Sequence, residues 1–564
     1  MPSRESGGLP TTGARGSALS LPRHQNVSGV LRPCLIAIAL AFVAVHVFMG
    51  LLDSYRPEVF LRADRAALRL REIHALLAVR SWAEASDYLG THGVIGDYAA
   101  HAVLYAIGGR WGVILCQVLL IFASGLGVVR LARLLGMSPK SQAVSLGLYL
   151  VLPHSLVFPH QLSTEALDIP LLVISTWLVC ESIRNDTIGP VLISALLLAM
   201  ATLIRPITLL WPATVFIIAV LHGRRGFGAT FLVVAYAPVI LWMAFVWQHT
   251  GTFGLGESNH SLERNLYLRV AAIAATMPQV EADEIDHRYL NQGDAGRMGA
   301  IEYVRAGLDH PVPFLKAAAR DTAVFFGKSG IERLTLDYFG SDAQFKALTS
   351  IDSGWHKRLD TTSAMTTLRY VWRVMGATLL ISLAASALLI AMIALAVYGA
   401  IALVREIRDP GCATAARFTA MVLIVLPVYI FVFSLVVIEV QSRQRAPAEF
   451  ALVILAVYGW QRLSSLGGRL KRGIIGGGPT LTPADNSVQY QTRLPDLPGR
   501  ASARAFAERR PAERLGRLRA SGGAWATFPR MLEALPVTCI AAPAIRPEKY
   551  QNRYERDSNP RVCL

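Results

Sequence analysis

Apolar residues in this chain are gathered into blocks of roughly twenty, the length needed to cross ~30 Å of hydrocarbon. The blocks run from about Pro33 to Leu52, Trp111 to Val129, Ser141 to Phe158, and from the Thr164-Glu165 turn to Ile183. Two more are parted only by Leu203-Ile204-Arg205-Pro206, and a seventh runs from about Phe227 to Trp247. The last three lie at about Met375 to Val404, Phe418 to Val440 and Ala446 to Leu463. The pattern predicts an all-α polytopic membrane protein with about ten transmembrane helices.

The polar stretches between the blocks divide the chain further. Residues 1–32 read as a basic, disordered cytoplasmic arm, and 33–249 as an N-terminal membrane module of seven spans. That module includes a first outer loop, 53–110. A larger, mainly helical outer loop region covers 250–373, spans eight to ten fill 374–463, and 464–564 reads as a basic, disordered cytoplasmic tail. In the first outer loop, Ala66, Leu70, Ile73 and Leu77 recur at spacings of three and four, with Arg65, Arg69 and Glu72 on another face. This is the period of an amphipathic helix, expected to lie at the membrane interface.

Composition supports the membrane class: 53% of residues are hydrophobic and 17% charged, with a mean hydropathy of +0.42. The net charge of +16 need not mean nucleic acid. The arginines fall in short loops at 130–140, 222–225 and 405–408 and in the tail, so positive-inside bias and anionic lipid account for them, with both termini cytoplasmic. Six cysteines form no CxxC pair, so neither disulfides nor a cysteine zinc site is expected. There is no GxxxxGK[ST] phosphate loop, and no internal repeat of the kind many transporters carry.

Candidate chemistry gathers at the outer ends of the spans. Asp64 opens the amphipathic helix, where the helix dipole favours a carboxylate, with Arg65 beside it. Asp97 in Gly96-Asp97-Tyr98 is the second carboxylate, with His101 one turn later on the same face. Asp53, at the end of span one, is a rival. His154, His160 and Glu165 line the next outer loop; their spacing matches no common metal site, so no metal or other cofactor is indicated. A carboxylate at the start of a span needs a partner or a wet cavity, which singles out Glu165. Arg205 before Pro206, and Arg443 and Arg445 in IEVQSRQRAPAEF (which also holds Glu439), are cations on the outer side. There an anionic partner, a phosphate or a lipid headgroup, would hold them.

Asp64-Arg65 followed by AALRLREIHALLAVRSW resembles the first outer loop of the GT-C membrane glycosyltransferases. The likeness is greatest to the branch of the dolichyl-phosphate-mannose protein mannosyltransferases and the bacterial aminoarabinose transferases. In that family an acidic residue, usually Asp-Glu, follows the first span and orients or deprotonates the acceptor. Here Arg65 stands in place of the Glu, and Gly96-Asp97-Tyr98 replaces a Lys-Pro-Pro-Leu-like turn. The resemblance implies a glycosyltransferase of the bacterial inner membrane, taking a sugar from a polyprenyl phosphate to an extracytoplasmic glycolipid, polysaccharide or protein. It implies an outer-loop Asp (Asp64 or Asp97) as base, with Arg65, His101, His160, Glu165, Arg205, Arg443 and Arg445 contacting substrates. A secondary transporter or a non-catalytic component of envelope polysaccharide synthesis is the alternative.

Overall fold

A computed structural model describes residues 28–62, 66–92, 95–251, 253–255, 257–275, 277–290, 298–331, 335, 337–338, 372, 376–409, 411–435 and 442–475. The chain divides into two units, 1–478 and 479–564, and the second lies wholly outside the described residues. So do Asp64, Arg65 and Glu439. Among the described residues there are helices and no strands. Backbone groups that meet hydrocarbon must be satisfied within their own segment, and a helix does this.

Among the described residues seven helices are long and apolar enough to cross a membrane, or eight if one bent pair counts as a span. They belong to α1 (Ser28–Tyr55), α4 (Ile95–Leu134), α7 (Glu165–Asn185), α10 (Arg225–Thr250), α15 (Ala377–Ile407), α16 (Thr414–Ser434) and α17 (Ser442–Ile475). The bent pair is α5 (Pro139–Val151) with α6 (Pro153–Val157) and the turn after it, broken by 61°. Leu152 is extended there, as a residue before proline must be. Expected spans five and six correspond to α8 (Gly189–Ile204) and α9 (Trp211–Leu221), both apolar but shorter. The 16 residues of α8 rise only about 24 Å, less than the hydrocarbon thickness. Of the about ten spans expected, seven or eight are thus long enough among the described residues to cross by themselves, and α8 and α9 are not. At the C-terminal end, the last helix runs on to Ile475, beyond the boundary at 463 expected from hydropathy.

Two local features set where side chains fall. α4 is two helices joined at Gly108 and Gly109, the latter at φ +56°, where glycine avoids the Cβ clash. The segment before the kink carries Asp97 and His101. α8 stops at Ile204 because Pro206 forces Arg205 into extended backbone, φ −147° and ψ 117°.

The main core joins α4, α5, α7, α16 and α17 through side chains such as Ile121, Leu150, Val173, Phe418 and Phe450. α15 crosses α17 at glycines: a Cβ on Gly399 would come 2.0 Å from the Leu455 carbonyl oxygen, and one on Gly459 2.3 Å from that of Leu395. In the first loop, α2 (Ala66–Ala78) is the amphipathic helix that the period predicts, but its apolar face is not given over to lipid. Ala66 and Ile73 pack with Phe60, Ala102, Val113, Ile114 and Leu162. Burial against α4 and the turn before α7 removes apolar surface from water as well as a bilayer would. Glu72 is also buried, bonded by the Tyr88 phenol and by Arg71. In the second polar region, α11 (Glu257–Ala274), α12 (Gln279–Ile285), α13 (Ala300–Asp309) and α14 (Pro311–Gly327) enclose a small core of their own.

A polar cluster around the turn before helix seven

The turn from Phe158 to Thr164 sits where several helix ends meet, and polar side chains from distant parts of the chain converge on it. Its position is fixed by backbone bonds: Leu162 N–H donates to the Phe60 carbonyl at 3.0 Å, and Arg69 Nη1 donates to the Leu162 carbonyl at 3.3 Å. The Gln117 amide, with its nitrogen toward the turn, donates to the carbonyls of Pro159 at 2.9 Å and Gln161 at 3.1 Å. In that orientation its oxygen accepts from His101 Nε2 at 3.1 Å.

On one side of this turn stands Asp97, buried, with both carboxylate oxygens engaged. Arg69 Nε donates to Oδ2 at 2.6 Å and His101 Nδ1 bonds Oδ1 at 2.8 Å. Paired opposite charges of this kind are how a buried carboxylate is tolerated. Beside Asp97 is Gly96, where an added Cβ would lie 2.5 Å from the Leu203 carbonyl carbon and 2.6 Å from Ile204 N. With no side chain there, the start of α4 can touch the end of α8, the residues just before Arg205.

Arg205 in turn faces α7. Its Nη1 lies 3.3 Å from Glu165 Oε1 and 3.9 Å from Asp168 Oδ2. Glu165 Oε2 accepts from the hydroxyls of Ser163 at 2.6 Å and Thr164 at 3.0 Å. Arg443 and Arg69 are also within electrostatic reach of Glu165, and Asp97 within reach of Asp168. These residues therefore form one charged cluster drawn from α2, α4, α7, α17 and the end of α8. Among its buried atoms, Arg205 Nη1 and Asp168 Oδ1 make no hydrogen bond within the described residues. A buried donor and acceptor left without hydrogen bonds are costly to the fold.

On the other side of the turn is a chain of three groups. Asp53 Oδ2 lies 2.5 Å from His160 Nδ1, and His160 Nε2 lies 2.7 Å from His46 Nδ1. The two imidazoles are nearly parallel, 5° apart with centroids at 5.0 Å. An ionised Asp53 can only accept, so His160 donates from Nδ1 and, with both rings neutral, receives from His46 at Nε2. The chain ends at His46 Nε2, which is buried without a hydrogen bond, and Asp53 Oδ1 likewise lacks one of good geometry. The Tyr338 ring meets His160 edge-on, and burial first and the Asp53 carboxylate second push its phenol well above the usual tyrosine range.

Arg445 belongs to neither group. It is fully buried; Nε donates to Glu449 Oε1 at 2.8 Å, Nη2 donates to the Lys328 carbonyl at 3.0 Å, and Nη1 donates to that of Phe325. Glu449 Oε2 is held by His154 Nδ1 at 2.5 Å. This guanidinium fastens the end of α14 to the membrane helices, whereas Arg443 acts electrostatically on Glu165.

His154, His160 and Glu165, close in sequence, thus have three separate partners: Glu449, the Asp53 and His46 pair, and Arg205. Among the described residues no group of His, Cys, Asp and Glu is arranged to hold a metal ion. Sequence reasoning passed over Arg69 as a site residue, and over Asp168, His46, Gln117 and Glu449 altogether. Three of these had a readable signal. Asp168 is three residues from Glu165, His46 is seven from Asp53, and Glu449 is four from Arg445, each spacing placing two ionisable groups on one face of an apolar helix. No protein-family model matches the chain, and no curated protein is similar enough to it to show kinship.

Proposed function

We propose that this multi-pass membrane protein is a glycosyltransferase of the bacterial inner membrane, moving a sugar from a polyprenyl phosphate to an extracytoplasmic glycolipid, polysaccharide or protein. The observation that carries the proposal is the mixed cluster at the turn before α7. There Arg69, Arg205 and Arg443 act on Glu165, and Arg205 and Asp168 each keep a polar atom unbonded. A polyprenyl-phosphate sugar brings its own leaving group, so transfer needs cations for the departing phosphate and a base for the acceptor hydroxyl. Arg205 and Arg443 suit the first role. For the second, geometry favours Asp53 over Asp97: both Asp97 oxygens are bound, while Asp53 keeps Oδ1 open and is backed by His160. Asp64 stays a third candidate. Under the positive-inside rule this end of the helices faces outward and both termini are cytoplasmic.

One observation speaks for the alternative of a proton-coupled transporter. His46 is an imidazole on a membrane-spanning helix, linked through His160 to Asp53, and ionisable chains of that sort occur in proton pathways.

Mass spectrometry of envelope glycans and glycolipids tests the proposal, comparing cells lacking the protein with cells restored by wild type, Asp53→Asn or Arg205→Gln. The expected result is loss of one sugar on deletion, recovered by wild type and by neither variant. Unchanged glycans and glycolipids on deletion would overturn it. Proton uptake by liposomes carrying the purified protein, sensitive to His46→Gln, would support the transporter instead.

A further inference from the structure

α13 and the start of α14 present an apolar stripe outward. Ile301, Val304 and Leu308 fall at spacings of three and four on one face of α13, and after the break at His310, Val312 and Leu315 lie three apart on α14. These five side chains are between 56% and 74% exposed. The stripe is not the face by which the helix folds. Ala306 and Tyr303, on the other side of α13, pack into the small core with Leu266 and Val270. A helix apolar on two sides, one of them already buried, has a second apolar partner.

Three features identify that partner as a lipid bilayer. The first is position: Phe325 near the end of α14 lies in the core of the membrane helices, against Phe431 of α16, and Arg445 bonds the carbonyls of Phe325 and Lys328. From Phe325 back to Leu315 a helix rises only about 15 Å, so the stripe is held near the ends of the spans. The second is continuity, since α14 packs on α15, whose first turns expose Leu380, Ile381 and Leu383 as a span does to lipid. The third is charge. Arg305 and Lys316 are exposed four residues after Ile301 and Val312, at the edge of the stripe. Nearby acids are occupied, Asp309 by Arg288 and Tyr289, while Glu302 folds back over Gly299.

We infer that α13 and the first turns of α14 lie in the plane of the bilayer surface, with Ile301, Val304, Leu308, Val312 and Leu315 dipped into the acyl boundary and Arg305 and Lys316 at the headgroups. The 257–327 helices are then moored to the membrane along their own face as well as through the spans that flank them.

Photo-crosslinking of the full chain tests this in nanodiscs of phosphatidylethanolamine and phosphatidylglycerol. Benzoylphenylalanine replaces Leu308 or Leu315 in separate proteins, and Asp283, exposed on α12, in a control. All three positions are on the surface, and a monodisperse elution profile confirms folding before irradiation. Intact mass is expected to show at least tenfold more lipid adduct from positions 308 and 315 than from 283. Lipid adduct at 308 and 315 no greater than at 283 overturns the inference. So does replacement of the lipid adduct by a link to a second copy, or to residues 339–371 of the same chain.

Discussion

Arg443 and Arg445 are two residues apart and equivalent in sequence, yet the structure gives them different work, and truncating each in turn separates stability from function. Arg445→Ala removes three hydrogen bonds and the countercharge of Glu449, all at a fully buried site. Breaking a buried ion pair by removing one partner costs about 3–5 kcal/mol, because the other charge is left behind. His154 stays 2.5 Å from Glu449 and keeps one carboxylate oxygen hydrogen-bonded, which retains part of this. The lower end, about 3 kcal/mol, is therefore expected. Arg443→Ala removes a half-buried group beside Glu165 and should change stability by less than about 1 kcal/mol. Thermal unfolding of the purified protein in one detergent, followed by intrinsic fluorescence at a fixed scan rate, compares them as loss of kinetic stability. Arg445→Ala should unfold several degrees below wild type and Arg443→Ala near it, while only Arg443→Ala keeps its fold and loses donor-dependent transfer. Combining Arg445→Met with Glu449→Gln should recover much of the loss, since no charge is stranded and the Gln oxygen still accepts from His154. The reasoning fails if Arg445→Ala unfolds with wild type, or if the two single variants unfold together.

Two further substitutions test how helices approach. Gly96→Val should displace the start of α4 from Leu203 and Ile204, parting Asp97 from the Arg205 turn. Transfer activity should fall at least tenfold with expression retained, and a variant of wild-type activity would show that the contact is not needed. Gly399→Leu should separate α15 from α17, where a Cβ alone would lie 2.0 Å from the Leu455 carbonyl oxygen. Overpacking of this kind costs roughly 1–3 kcal/mol or more, read as a lower unfolding temperature, and an unchanged temperature would refute the crossing.

What could be read from the sequence follows from the range of each physical signal. Helix type and order depend on runs and periods within some twenty residues. The blocks from Pro33 to Leu463 accordingly reappear as helices in the expected order, though α8 is too short to cross by itself. The amphipathic period of α2 is legible, but period reports that a face is apolar and not what covers it, and protein covers Ala66 and Ile73. Asp97 with His101 could be paired on paper because helical geometry places residues four apart together, and they do meet.

The remaining partnerships have no local trace. His160 finds Asp53 across 107 residues and His154 finds Glu449 across 295, separations at which no period or spacing carries information. In a largely apolar interior such polar contacts are nonetheless strongly constrained, since every buried ionisable group must find a countercharge or a hydrogen bond. That requirement explains why His154, His160 and Glu165, so close in sequence, are divided among three partners: each meets the one complementary group that its own turn of helix or loop can reach. Residues bonded on several sides, such as Arg445 with Glu449 and two backbone carbonyls, hold the helices together. Those left partly unsatisfied, Arg205 with Asp168 and Asp53 with His46, are where the proposed transfer places its substrates.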